Sequence, residues 1–172
     1  MKQTCQIFLI LILLTFSCKG QEINYLTEAE YNAIFIDGVN WNKIHETKGD
    51  IVKIKALFGD RTTYKTFTEP SLGIEFWNKG FYFRFEDGSD QGNQYDLVNI
   101  SILNNLSSLT IKGKTITIGE DIRKLGIVKI NTDKNGIKGI MFNSIEPSNS
   151  AIFIEFNQFS NIIKHIEYIV FN

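Results

Sequence analysis

His45 and His165 are all the imidazole the chain possesses. Neither stands at ligand spacing from another His or a Cys, so no zinc site is predicted. The acidic run Glu86-Asp87-Gly88-Ser89-Asp90-Gln91-Gly92 has the make-up of a calcium loop, but Val98 occupies the place of its twelfth-position glutamate, and a solvated hairpin connection is expected instead. Glu75, Glu86 and Glu155 would have to meet across a sheet to act as an acid–base set, and isolated carboxylates on polar strand faces ordinarily serve solubility. No Ser or Thr stands in a nucleophile elbow, and no glycine-rich phosphate loop is present. Asn99-Ile100-Ser101 and Asn105-Leu106-Ser107 match the glycosylation acceptor pattern, a pattern frequent by chance. No catalytic residue, metal or cofactor is therefore assigned, and a non-enzymatic role is expected.

The N-terminus offers a different chemistry. Lys2 precedes an apolar run from Ile7 to Phe16 that closes on Ser17-Cys18, the order of a secretory signal. Such a run is too short for a hydrocarbon core, which needs about 20 residues. Leu14-Thr15-Phe16-Ser17-Cys18 resembles the lipobox of bacterial lipoproteins, in which the cysteine thiol is acylated and becomes the new first residue. The resemblance implies a signal peptide over residues 1–17, lipid attachment at Cys18, a tether over 18–25 and a single globular region over 26–172. The protein would then face the periplasm or the cell surface from a membrane. Cys5 leaves with the signal, so Cys18 alone remains and a disulfide framework is excluded.

The formal charge of -1 becomes -2 once Lys2 is removed, which gives nucleic acid nothing to be drawn to over long range. Fourteen phenylalanines against two prolines suit an ordered, strand-rich domain whose core must do without covalent staples.

Positioning elements follow from periodicity. Thr27-Glu28-Ala29-Glu30 reads as a capping box opening a brief helix, and Ile34-Phe35-Ile36 as a strand entering a hairpin turn at Asp37-Gly38. Ile51, Ile54, Leu57 and Phe58 form a helical stripe. Phe81, Phe83 and Phe85 alternate with Tyr82, Arg84 and Glu86, so one strand face is apolar and the other mixed. The helix is expected to cover the phenylalanine face.

The chain also matches itself. Leu57-Phe58-Gly59 recurs as Leu125-Gly126, and Gly73-Ile74-Glu75-Phe76 as Gly139-Ile140-Met141-Phe142. Leu97 to Ile102 recurs as Ile163 to Tyr168. These offsets are close to 66, and Phe81 to Phe85 against Ile152 to Phe156 gives 71. Gly119-Glu120-Asp121-Ile122-Arg123-Lys124-Leu125-Gly126 does the helix's work in miniature, acidic early and basic late. Ile36-Asp37-Gly38 and Ile111-Lys112-Gly113 fit the same order and suggest a fourth strand in each unit. The expected fold is α+β: two tandem repeats, about 34–103 and 109–171, each a short helix on one face of a three- to four-stranded antiparallel meander, joined in one curved sheet.

A helix ending in Phe-Gly or Leu-Gly ahead of a meander, repeated in tandem, resembles the β-lactamase-inhibitor-protein-like domains, among them small outer-membrane-assembly lipoproteins. The resemblance covers nearly all the mature chain in outline. Alternation, the duplication and the missing catalytic groups point to a binding role: the uncovered face should present Trp77, Tyr82, Arg84, Phe153 and Glu155, residue types that include the Trp, Tyr and Arg of binding hot spots. The leading expectation is an envelope lipoprotein that binds a protein partner on this face. An immunity or inhibitor protein acting on a toxin or enzyme, and a small envelope hydrolase, are the alternatives.

Overall fold

The computed structural model describes residues 23–69, 71–87, 95–132, 136–145 and 149–170. The signal, Cys18 and most of the acidic loop after Asp87 lie outside them.

Strand β1 (Ile23–Leu26) leads into helix α1 (Glu28–Asn32). Its capping box is complete: the Glu30 amide donates to Thr27 Oγ1 at 3.2 Å and the Thr27 amide to Glu30 Oε2 at 2.9 Å. Residues 23–25, expected to belong to a tether, are part of β1 and lie in the sheet. β2 (Phe35–Ile36) and β3 (Val39–Asn40) form a hairpin whose turn residues Asp37 and Gly38 both have positive φ, the geometry a two-residue turn needs to match strand twist. Helices α2 (Trp41–Glu46) and α3 (Ile51–Phe58) follow, capped by the side chains of Asn40 and Asp50.

Next comes a four-stranded meander, β4 (Thr63–Phe67), β5 (Gly73–Asn78), β6 (Phe81–Asp87) and β7 (Tyr95–Ile102). A hairpin, β8 (Leu109–Ile111) and β9 (Lys114–Ile116), and a 3-10 turn at Ile122–Leu125 lead to a second meander. Its strands are β10 (Asn131–Thr132), β11 (Lys138–Ser144), β12 (Ser150–Phe156) and β13 (Ile163–Val170). The fold is α+β. β7 and β13 pair antiparallel and fuse both meanders into one nine-stranded sheet, ordered β1-β11-β12-β13-β7-β6-β5-β4 with β10 beside β11.

Three expectations are corrected. The sheet is mixed, since β1 adds to β11 in parallel. The pair Ile36-Asp37-Gly38 and Ile111-Lys112-Gly113 supplies no fourth meander strand; the two hairpins pair with each other, Ile36 opposite Leu109, in a separate four-stranded sheet β3-β2-β8-β9. Gly59 and Gly126 are not in the left-handed helical well: with φ 89°, ψ 164° and φ 79°, ψ -143° they occupy a region essentially reserved for glycine.

One face of the large sheet is packed, the other open. Ile74, Phe76, Phe81, Phe83, Phe85, Ile100, Ile140, Phe142, Ile154 and Ile166 are buried. Phe58 of α3 lies 4.7 Å from the Phe81 ring and 5.1 Å from the Phe83 ring, so this helix does cover the phenylalanine face. The 3-10 turn serves the second meander through buried Ile122 and Leu125.

Candidate functional site

The open face takes its side chains from alternate residues of the central strands. Register sets Glu75 opposite Arg84 and Trp77 opposite Tyr82 on β5 and β6, then Arg84 opposite Asn99 and Tyr82 opposite Ser101 on β7. Ser101 faces Glu167 on β13, and Glu167 faces Phe153 on β12. One row thus runs Trp77-Tyr82-Ser101-Glu167-Phe153 across both halves.

Between Arg84–Asn99 and Phe85–Leu97 the register slips by one residue, leaving Val98 as a bulge; Lys164 does the same between Glu155–His165 and Phe156–Ile163. Both bulges bend the open face at matching places. In β7 the bulge puts Val98 and Asn99 side by side at the rim of a groove.

That groove encloses about 400 Å³ and is lined by Tyr82, Arg84, Glu86, Val98, Asn99, Ser101, Glu167 and Val170. Its polar groups are tied together. The Tyr82 hydroxyl donates to Glu75 Oε1 at 2.8 Å, and Arg84 Nε to Glu86 Oε1 at 2.5 Å, with Arg84 also 3.6 Å from Glu75. The Arg84 guanidinium lies 4.5 Å over the Phe67 ring. On the other wall Asn99 Nδ2 donates to Glu167 Oε1 at 2.6 Å, and Ser101 Oγ to Asn99 Oδ1 at 3.0 Å.

His165 Nε2 sits 3.4 Å from Glu167 Oε2. The bond between them raises the imidazole pKa and, with the Asn99 amide, lowers that of the Glu167 carboxyl. Burial and the Glu75 carboxylate push the Tyr82 hydroxyl up to about 12, so it stays a proton donor at neutral pH.

All five side chains expected on this face lie there and are half-buried. Tyr82 and Arg84 line the groove, with the Trp77 ring 5.6 Å from that of Tyr82. Phe153 lies over Gly139, where an added Cβ would collide with its ring. Glu155 belongs to a second hollow of about 230 Å³ with Ile137, Phe159 and Lys164. Of the three carboxylates weighed as an acid–base set, Glu75 and Glu86 come together, bridged by Arg84, while Glu155 stands in the other meander. Among the described residues no three His, Cys, Asp or Glu side chains gather as a metal site.

Asn99, Ser101 and Glu167 escaped sequence reasoning. Asn99 and Ser101 fell in a glycosylation-like triplet, and Glu167 stood only inside the Ile163 to Tyr168 self-match. A usable signal was present: at the offset of 66, Ser101 matches Glu167, and matched edge strands of two repeats are natural partners for each other. His45, weighed only as an ordinary residue, is packed beside Trp41 at 4.8 Å with its Nε2 buried and without a hydrogen-bond partner.

No family model, curated protein or solved structure matches this chain.

Proposed function

We propose that this chain is a non-enzymatic lipoprotein of the cell envelope, tethered through Cys18, that receives a protein partner on the open face of its nine-stranded sheet. The observation that carries the reading is the groove shared by β6, β7 and β13, which draws its walls from both meanders. Tyr, Trp and Arg cluster on and beside it, the residue types that dominate protein interfaces. Its carboxylates are each engaged by a neighbouring donor, an arrangement that suits a preorganised binding surface. The tandem order of helical segment and meander keeps the resemblance to β-lactamase-inhibitor-protein-like domains within the same reading.

Two experiments test it. Cys18→Ala should leave the precursor unprocessed or release the protein from membranes on fractionation; a processed, membrane-bound variant counts against the tether. Pull-down from solubilised membranes should recover a partner with the wild-type chain and much less of it with Tyr82→Phe or Trp77→Ala. Equal recovery with both variants counts against the face.

A further inference from the structure

Ile137 and Phe159 line one hollow at the end of the sheet toward which the N-terminus of β1 points, and exposed Ile127 and Ile130 lie on the adjoining segment between the 3-10 turn and β10. Ile137 precedes Lys138, the first residue of β11, which stands opposite Phe156, the last of β12. Phe159 lies in the turn that follows β12. The Ile122 amide donates to the Asn161 carbonyl at 2.9 Å, fixing the 3-10 turn to that same end. From there residues 127–130 run back to β1, where the Asn24 side chain brackets Lys129: its Nδ2 donates to the Lys129 carbonyl at 2.9 Å and its Oδ1 accepts from the Lys129 amide at 2.7 Å.

Ile127 is 103% exposed, Phe159 87%, Ile130 46% and Ile137 43%. Single exposed apolar residues need no explanation, but several at one end of a sheet do. Lys164 lines the same hollow as Ile137 and Phe159, Lys129 is exposed next to Ile130 in the chain, and neither makes an ion pair among the described residues.

The course of the chain says what covers this end. β1 runs parallel to β11 with Ile23 opposite Met141, so its N-terminus points toward the start of β11. Cys18 is five residues upstream of Ile23. A span of that length reaches no more than about 18 Å even when fully extended. An acyl chain on Cys18 would therefore hold Ile23 within about 18 Å of the bilayer surface, on the side toward which this end of the sheet points.

We infer that Ile127, Ile130, Ile137 and Phe159 form a membrane-resting surface, their apolar side chains entering the headgroup region while Lys129 and Lys164 meet anionic phospholipid. The inference rests on the lipid-tether reading. It also fixes an orientation: the strands of the second meander stand up from the membrane, the hollow at Glu155 lies next to lipid, and the groove of Tyr82 and Arg84 lies toward the far end of β13.

The test uses the full lipidated protein in vesicles of phosphatidylethanolamine and phosphatidylglycerol. Acylation blocks Cys18, so a new thiol at Ile127→Cys, Phe159→Cys or Val52→Cys takes a fluorescent label alone. Val52 is the control: it is exposed in α3, three residues after Gly49, which packs against Tyr95 at the opposite end of β7. Nitroxide-bearing lipids should quench the labels at 127 and 159 at least three-fold more than the label at 52. Equal quenching at all three positions overturns the inference and leaves the tether reading intact. Shielding of 127 and 159 from aqueous iodide without quenching by lipid gives the surface to a protein and likewise overturns it. A mature N-terminus without acyl chains, read by mass spectrometry, overturns both.

Discussion

Ser101 and Glu167 face each other where the two meanders meet, and they stand 66 residues apart, the offset at which the chain matches itself. Ile100 pairs with Tyr168 and Ile102 with Ile166, so each residue of the junction meets the counterpart of its partner's mirror position. A local two-fold axis thus passes between Ser101 and Glu167, through the wall of the groove. The repeats differ where the groove needs polarity: Tyr82 and Arg84 of one half correspond to Phe153 and Glu155 of the other.

Glu167 is the acceptor that ties this junction together, taking hydrogen bonds from Asn99 and His165. Glu167→Ala leaves the Asn99 amide without its partner in a half-buried site and should cost about 1–3 kcal/mol. Urea denaturation of the purified domain measures it. A variant as stable as wild type would mean the network contributes nothing to the junction.

Phe83 is fully buried between Phe58 and Phe81. Phe83→Ala should destabilise by about 3–5 kcal/mol, as buried aromatic truncations do. A thermal melt superimposable on wild type would remove Phe83 from the core.

Gly73 and Gly139 are matched glycines, each roofed by an aromatic ring, Phe67 on one and Phe153 on the other. An added Cβ meets different obstacles. At Gly139 it strikes only the far end of the Phe153 ring, whereas at Gly73 it also strikes the Phe85 backbone carbonyl. Gly139→Ala should therefore be largely rescued by Phe153→Leu, while Gly73→Ala should stay destabilising in a Phe67→Leu background. Four melting curves decide it, and rescue of both pairs or of neither contradicts the geometry.

Burial, assisted by Lys48 and against the pull of Asp96, pushes the His45 imidazole down to about 4. The ring is enclosed by Trp41 and Tyr168. Below pH 6.5 the unfolded chain takes up a proton that the folded chain refuses, so stability falls with decreasing pH until about pH 4. The loss amounts to about 3 kcal/mol at most. Comparing urea midpoints at pH 7 and pH 4.5 for wild type and His45→Leu isolates this contribution from that of the carboxylates. The variant should lose distinctly less stability on acidification; equal losses would mean His45 protonates freely in the folded state.

Local pattern made much of the fold legible. Alternation identified the strand from Phe81 to Phe85, the helical stripe located α3, and Asp37-Gly38 marked its turn. What stayed hidden was nonlocal. Nothing in Ile23-Asn24-Tyr25-Leu26 announces a parallel partner, and the pairing of Ile36 with Leu109 joins hairpins more than 70 residues apart. The five expected face residues follow from alternation alone, since period two fixes the side. Asn99, Ser101 and Glu167 required knowing that β7 and β13 touch, and the Val98 bulge displaced a simple alternation count by one residue.

The face residues are less free to change than surface position suggests. Arg84 bridges Glu75 and Glu86, so Arg84→Ala leaves Glu75 to the Tyr82 hydroxyl and Glu86 to the Ser71 hydroxyl, removes the cation between two half-buried carboxylates, and should cost about 1–3 kcal/mol of stability. That exceeds the 0.5 kcal/mol of an ordinary surface substitution. Tyr82→Phe removes only the hydroxyl bond to Glu75 and is the cleaner probe of binding.

The central claim, that a protein docks on the open face, is tested most directly by photo-cross-linking in intact cells with benzoyl-phenylalanine in place of Tyr82 in the groove or of Val52 on α3. The account predicts one discrete cross-linked species from position 82, absent from position 52 and reduced by Trp77→Ala in the same chain. No adduct at position 82 in cells where the protein is folded and membrane-bound, or the same adduct from both positions, would contradict it.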